Sequence, residues 1–364
     1  MIVDARARAW ASLNVAAIAP APLAALLRAF GSAEAVVAAK PAQRKAVASG
    51  AAVQALDAGV DSARLDATLD WLAQDDHSLI AWDDRDYPAA LLETADPPPV
   101  MYCIGRRSLL ELPAFAIVGS RNATPQGCAD AEAFGGALAA SGLAIVSGLA
   151  LGVDAAAHRG GLSQSGRSIA VVGTGPDRVY PARNRDLAHA LADDGLLLSE
   201  FPVGTPPLRA NFPRRNRVIS GLSRGILVVE ATLSSGSLIT ARLAAEQGRD
   251  VFALPGSIHS PFSKGCHKLI REGAKLVETA QDVLDELRLP AAPVADAAAH
   301  APERAVDEPT AQAVLIALGH APADGDTIAA RSGLAASSVL AALTALELAG
   351  RVASLPGGRY QRIE

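Results

Sequence analysis

Seven consecutive residues, Asn211-Phe212-Pro213-Arg214-Arg215-Asn216-Arg217, bring three guanidinium groups, an aromatic ring and two amides into one short stretch. No acidic residue lies between Glu200 and Glu230, yet Arg209, Arg214, Arg215, Arg217 and Arg224 all fall there. Pro213 suits the first position of a helix, where its missing N–H costs nothing, and Asn211 is placed to cap that helix. Cations on a first turn meet the positive end of the helix dipole, at about 0.3–1 kcal/mol each unless an anion is near. The chemistry that suits this pattern is phosphate binding, because helix-start N–H groups and guanidinium forks both match phosphate oxygens. Phe212 adds a face on which a base can stack. The alternative is that the arginines pair with Glu200 or Glu230 and that Phe212 belongs to the core.

The elements that must hold this stretch follow from hydrophobic patterning. Apolar runs at Ala114–Val118, Leu143–Ser147, Ser168–Val172, Leu196–Ser199, Ile226–Val229 and Asp250–Ala253 alternate with helical segments. Such runs predict an α/β fold, a Rossmann-like and mainly parallel sheet covered on both faces. Ligands of such sheets bind beyond the carboxyl ends of the strands, and the polar motifs cluster there. Gly119-Ser120-Arg121-Asn122 follows the first of these strands, and Thr124-Pro125 caps and opens the next helix. Ser234-Ser235-Gly236-Ser237 opens a later helix with small hydroxyl residues suited to an anion. Lys264 and Lys268 supply two more cations. Asp154 and His158, four residues apart, share a helix face and suit a structural hydrogen bond better than an acid–base pair, since no nucleophile stands beside them.

Other chemistries are disfavoured. Gly173-Thr174-Gly175-Pro176 follows a strand but breaks the dinucleotide fingerprint, with Pro176 and Arg178 where free positions are needed, and no Walker phosphate loop is present. Cys103, Cys128 and Cys266 are far apart and form no Cys-x-x-Cys pair, so neither zinc nor redox shuttling is expected and a reducing cytosol is the simplest home. Asp83, Asp84 and Asp86 read as turn and cap residues rather than metal ligands. No cofactor is called for. With no signal-peptide pattern and no membrane-length apolar run, the chain is expected to be cytoplasmic. A net charge of −5 over 364 residues excludes a uniformly basic DNA-coating protein but leaves room for a focused basic groove.

Residues 1–75 read as a small helical domain of the SAM or helix-hairpin kind, in which Ala19-Pro20-Ala21-Pro22 stands where a DNA-gripping hairpin would want glycines. Residues 76–110 read as an irregular connector, 111–289 as the Rossmann-like domain, 290–305 as an Ala/Pro-rich linker and 306–364 as a winged helix. In the last domain Asp326 is expected to cap Thr327–Ser332. Ala335–Ala349, its second helix, carries no Arg, Lys, Gln or Asn, so it suits protein contact better than base reading.

Taken in order, Gly119-Ser120-Arg121, Ser147-Gly148-Leu149-Ala150, Gly152-Val153-Asp154 with His158, Tyr180-Pro181, Ser199-Glu200, Phe212–Arg217, Ser235–Ala241 and Pro255-Gly256 resemble the DNA-processing protein A (DprA, or Smf) family. The resemblance implies a non-enzymatic, homodimeric protein that joins through its Rossmann-like domain. Such a protein binds single-stranded DNA during natural transformation and helps load the recombinase RecA. It further implies a pocket at the carboxyl edge of the sheet built from Ser120, Arg121, Phe212, Arg214, Arg215, Asn216 and Arg217, with Arg167 as an additional candidate; Gly119, Ser235, Gly236, Lys264 and Lys268 join them from the residue patterns above. Two rivals remain. A nucleotide N-glycosidic hydrolase can use a related core, but Leu254-Pro255-Gly256-Ser257 lacks the second glycine of its Pro-Gly-Gly loop. A transcription regulator would rest on the winged helix alone.

Overall fold

The computed structural model describes residues 3–48, 51–289 and 309–363, so the expected linker, 290–305, lies outside the described residues. A nine-stranded sheet forms the centre: β1 (His77–Ala81), β2 (Val100–Gly105), β3 (Ala114–Val118), β4 (Ala144–Ser147), β5 (Ser168–Val171), β6 (Leu196–Ser199), β7 (Gly225–Val228), β8 (Asp250–Ala253) and β9 (Lys275–Leu276). Their spatial order is β1-β2-β6-β5-β4-β3-β7-β8-β9. From β6 to β9 neighbouring strands are parallel, whereas β1 with β2 and β2 with β6 are antiparallel. β3, β4, β5, β6 and β7 are buried along their whole length, which is why they read as unbroken apolar runs.

The connector expectation needs correction. Residues 76–110 contain β1 and β2, which extend the sheet by two strands; the Asp and Pro residues between them masked the pattern. Asp84 and Asp86 are engaged there in ion pairs, Arg6 to Asp84 at 3.0 Å and Arg107 to Asp86 at 2.6 Å, while Asp83 pairs with Arg6. Before β1 come six helices between Ala5 and Leu72, which pack on the β1–β2 end of the sheet. Pro20 opens one of them at its first turn, so the Ala-Pro-Ala-Pro segment is a helix start. Gly31 closes it in the left-handed conformation (φ 86°).

Chain direction decides where a ligand can sit. From β3 the strands advance one way through β4, β5 and β6; the chain then crosses back along the Asn211–Leu222 helix and lays β7, β8 and β9 on the other side of β3. β3 and β7 are therefore the pair at which strand order reverses. Loops leaving them diverge to opposite faces and open a crevice.

The last domain has helices Pro309–Leu318, Gly325–Ser332 and Ala336–Leu348 with a small sheet ordered β10 (Ala323–Asp324), β12 (Arg359–Arg362), β11 (Val352–Leu355). Asp324, not Asp326, caps the second helix: the Thr327 N–H donates to its carboxylate at 2.7 Å. No single helix among the described residues is long and apolar enough to cross a membrane.

Candidate nucleic-acid interface

A cleft of about 780 Å³ opens at the β3/β7 reversal. One wall is the loop after β3, another the loop and helix start after β7, and its floor is the first turn of the Asn211–Leu222 helix. Eight of the expected residues meet there: Gly119, Ser120, Arg121, Phe212, Arg215, Asn216, Ser235 and Gly236.

The floor is set by helical periodicity. Arg215, Val218, Ile219 and Leu222 fall at i, i+3, i+4 and i+7, and all four are buried. Arg215 thus occupies a core position, only 4% exposed, and reaches the carboxyl ends of neighbouring strands. Its Nη1 donates to the Gly148 carbonyl at 2.7 Å and to the Val171 carbonyl. Burial pushes its pKa down to about 10, with the Asp154 carboxylate opposing that shift, so the group is charged at neutral pH. A Cβ on Gly148 would stand 2.6 Å from the Arg215 guanidinium and would have to displace it.

Asp154 and His158 do not bond each other, contrary to expectation. Each instead braces the backbone of the loop after β4. The N–H groups of Gly148 and Ala150 donate to Asp154 at 3.2 and 3.3 Å, and that of Leu149 to His158 Nε2 at 3.2 Å. Asn184 donates to the Leu149 carbonyl from the other side at 2.9 Å. Leu149 is thereby held at φ 57°, a conformation a branched side chain tolerates only when its surroundings impose it.

Above the floor lie the groups free to meet a ligand. Phe212 is partly exposed, with the Arg121 guanidinium carbon 5.8 Å from its ring centroid. Arg121 is exposed and has no carboxylate partner among the described residues. The same holds for Arg209, which lines the cleft from the loop before the helix. The motif-based site set left Arg209 out. The absence of acids between Glu200 and Glu230 was a signal that could have included it. Across the cleft, Gly236 caps the Ser237–Glu246 helix, whose first N–H groups are taken by Ser235 and Gly236, and the positive end of its dipole borders the same cleft. Asn211 is not the cap expected of it: it lies inside the helix and donates to the Gly173 carbonyl at 3.1 Å.

Five expected residues lie elsewhere. Arg214 and Arg217, three apart, share a face turned from the cleft toward Glu200, at 3.1 and 2.6 Å, and Arg217 also meets Asp96 at 3.0 Å. Glu200 is buried, which raises its pKa, and the two guanidiniums oppose that rise. For these two arginines the ion-pair alternative holds. Arg167 precedes β5, at the amino end of the sheet, and donates to the Ala139 carbonyl at 2.7 Å. Lys264 donates to the Ile258 carbonyl and lines a different groove, and Lys268 faces Glu272 at 3.8 Å. Sequence neighbourhood placed all five near the motifs; strand direction and helix face put them elsewhere.

With this geometry in place, comparison with known proteins is decisive. Residues 78–288 match the family described as DNA recombination-mediator protein A, and residues 290–358 match the DprA winged helix domain. The chain belongs to the DprA/Smf family. Protein Smf of Escherichia coli strain K12 is 44% identical over 307 residues, covering 82% of this chain and 81% of that protein. DNA processing protein DprA of Streptococcus pneumoniae strain R6 is 50% identical over 203 residues, covering 56% of this chain and 72% of the relative. Among solved structures, DprA of Streptococcus pneumoniae superposes with a TM-score of 0.67 at 38% identity, over 76% of this chain and 95% of that one. DprA of Helicobacter pylori, described for its single-stranded DNA binding mode, gives 0.54 at 32% identity, over 58% and 95%.

Proposed function

We propose that this DprA-family chain is a single-stranded DNA-binding recombination mediator that receives a strand in natural transformation and helps load RecA onto it. The observation that carries the proposal is the pair of exposed guanidiniums without an ion-pair partner among the described residues, Arg121 and Arg209, in a cleft that also holds a helix start and the partly exposed Phe212 ring. Phosphates lie against the cations and the helix start, and bases lean on Phe212. The family description as a recombination mediator, and the single-stranded DNA binding of the Helicobacter pylori relative, support this reading. The chain works in the cytoplasm, where such a strand emerges.

The protein acts by binding rather than by turnover. Glu230, the carboxylate nearest to a hydrolase role, is engaged away from the cleft. It accepts the Thr124 N–H at 2.9 Å and the Thr124 hydroxyl at 2.6 Å. Fluorescence anisotropy with a labelled oligo(dT) should show saturable binding, weaker for the same sequence as a duplex. Absence of binding, or release of free base from nucleoside monophosphates that is lost in Glu230→Gln, would overturn the proposal.

Two copies join through the Rossmann-like domain at the β9 edge. Among the described residues β9 pairs only with β8, and exposed Leu233, Ile258 and Leu276 line one apolar groove beside it. Light scattering should give twice the monomer mass, and Leu276→Asp should return it to one. A parent of monomer mass contradicts the dimer.

A further inference from the structure

Tyr180 has no task in the site described so far. Its ring meets Phe212 with centroids 5.5 Å apart and planes at 44°. It lines the same cleft, is 47% exposed, and its hydroxyl has no hydrogen-bond partner among the described residues. A tyrosine retained for packing buries its ring and bonds its hydroxyl. This one does neither.

The centroid separation is that of two rings in contact, so no base fits between them. Phe212 and Tyr180 instead make a bent platform, with the Arg121 guanidinium on Phe212. We propose that Tyr180 is a second base-stacking surface, and that the cleft takes two neighbouring bases of one strand, the first on Phe212 and the next on Tyr180. The inference rests on the single-strand reading above. The tilt between the rings splays the two bases, which only unpaired nucleotides allow. Because every base has a π face, the platform gives strand selectivity with little sequence preference.

The test uses the full-length chain and labelled oligo(dT). Tyr180→Ala should bind about 5- to 20-fold more weakly, Tyr180→Phe within about twofold of the parent, and neither should change the salt dependence, since no phosphate contact is lost. In a Phe212→Ala background, Tyr180→Ala should lose a similar factor again. Unchanged binding by Tyr180→Ala overturns the proposal. So does a loss that vanishes in the Phe212→Ala background, because Tyr180 would then only prop Phe212. A parent that fails to bind oligo(dT) removes the functional reading itself.

Discussion

Arg215→Ala should lower the melting temperature of the protein by about 10 °C and abolish strand binding together. The substitution strips a donor from the Gly148 and Val171 carbonyls and leaves Asp154 buried without the cation that favours its charge. Removing one member of a buried charged arrangement costs about 3–5 kcal/mol, and a kilocalorie is worth about 2–4 °C in a domain of this size. Arg215→Lys should rescue little, because the compact, more strongly hydrated ammonium is harder to bury than a guanidinium at a position only 4% exposed. Calorimetry of the three proteins decides the matter. An Arg215→Ala variant that melts with the parent would mean that the guanidinium is not the keystone of the cleft floor.

Phe212→Ala should weaken oligo(dT) binding by about 10- to 100-fold, since stacking contributes about 1–3 kcal/mol per base. Its ring also packs on Gly173, where a Cβ would stand 2.9 Å from Phe212, so the alanine variant combines lost stacking with repacking. Phe212→Leu separates the two effects. Leucine keeps the apolar contact with Gly173 but has no π face, so it should melt near the parent and still bind weakly. Parent-like affinity of Phe212→Leu, measured by anisotropy at fixed salt, would show that no base leans on this residue.

Much of the core was legible in the sequence because buried parallel strands carry an apolar run on both faces. Ala114–Val118, Leu196–Ser199 and Asp250–Ala253 fall where patterning puts them. β1 and β2 were missed for the opposite reason: acids and prolines that serve ion pairs and turns surround them, and the pairing that joins them to the sheet, β2 with β6, is antiparallel and distant in sequence. Within the cleft, charge density pointed to the stretch as a whole but did not sort its arginines by face. Helical spacing separates them: Arg215 continues the stripe of Val218, Ile219 and Leu222, whereas Arg214 and Arg217 belong to the face that meets Glu200. Arg167 and the two lysines could be sorted only once strand direction and order were known, since both edges of a sheet are close in sequence to the same strand.

The most direct test of whether a sugar-phosphate strand neutralises the cations at the β3/β7 reversal is the salt dependence of oligo(dT) affinity in the parent, Arg121→Ala and Arg209→Ala. For about four to six phosphate contacts, log affinity in the parent should fall with log salt at a slope of about −3 to −4, and each variant should flatten that slope by about 0.7. Both residues are exposed, so neither variant should lose stability. A parent slope near zero, or variants that keep the parent slope, would contradict strand binding in this cleft.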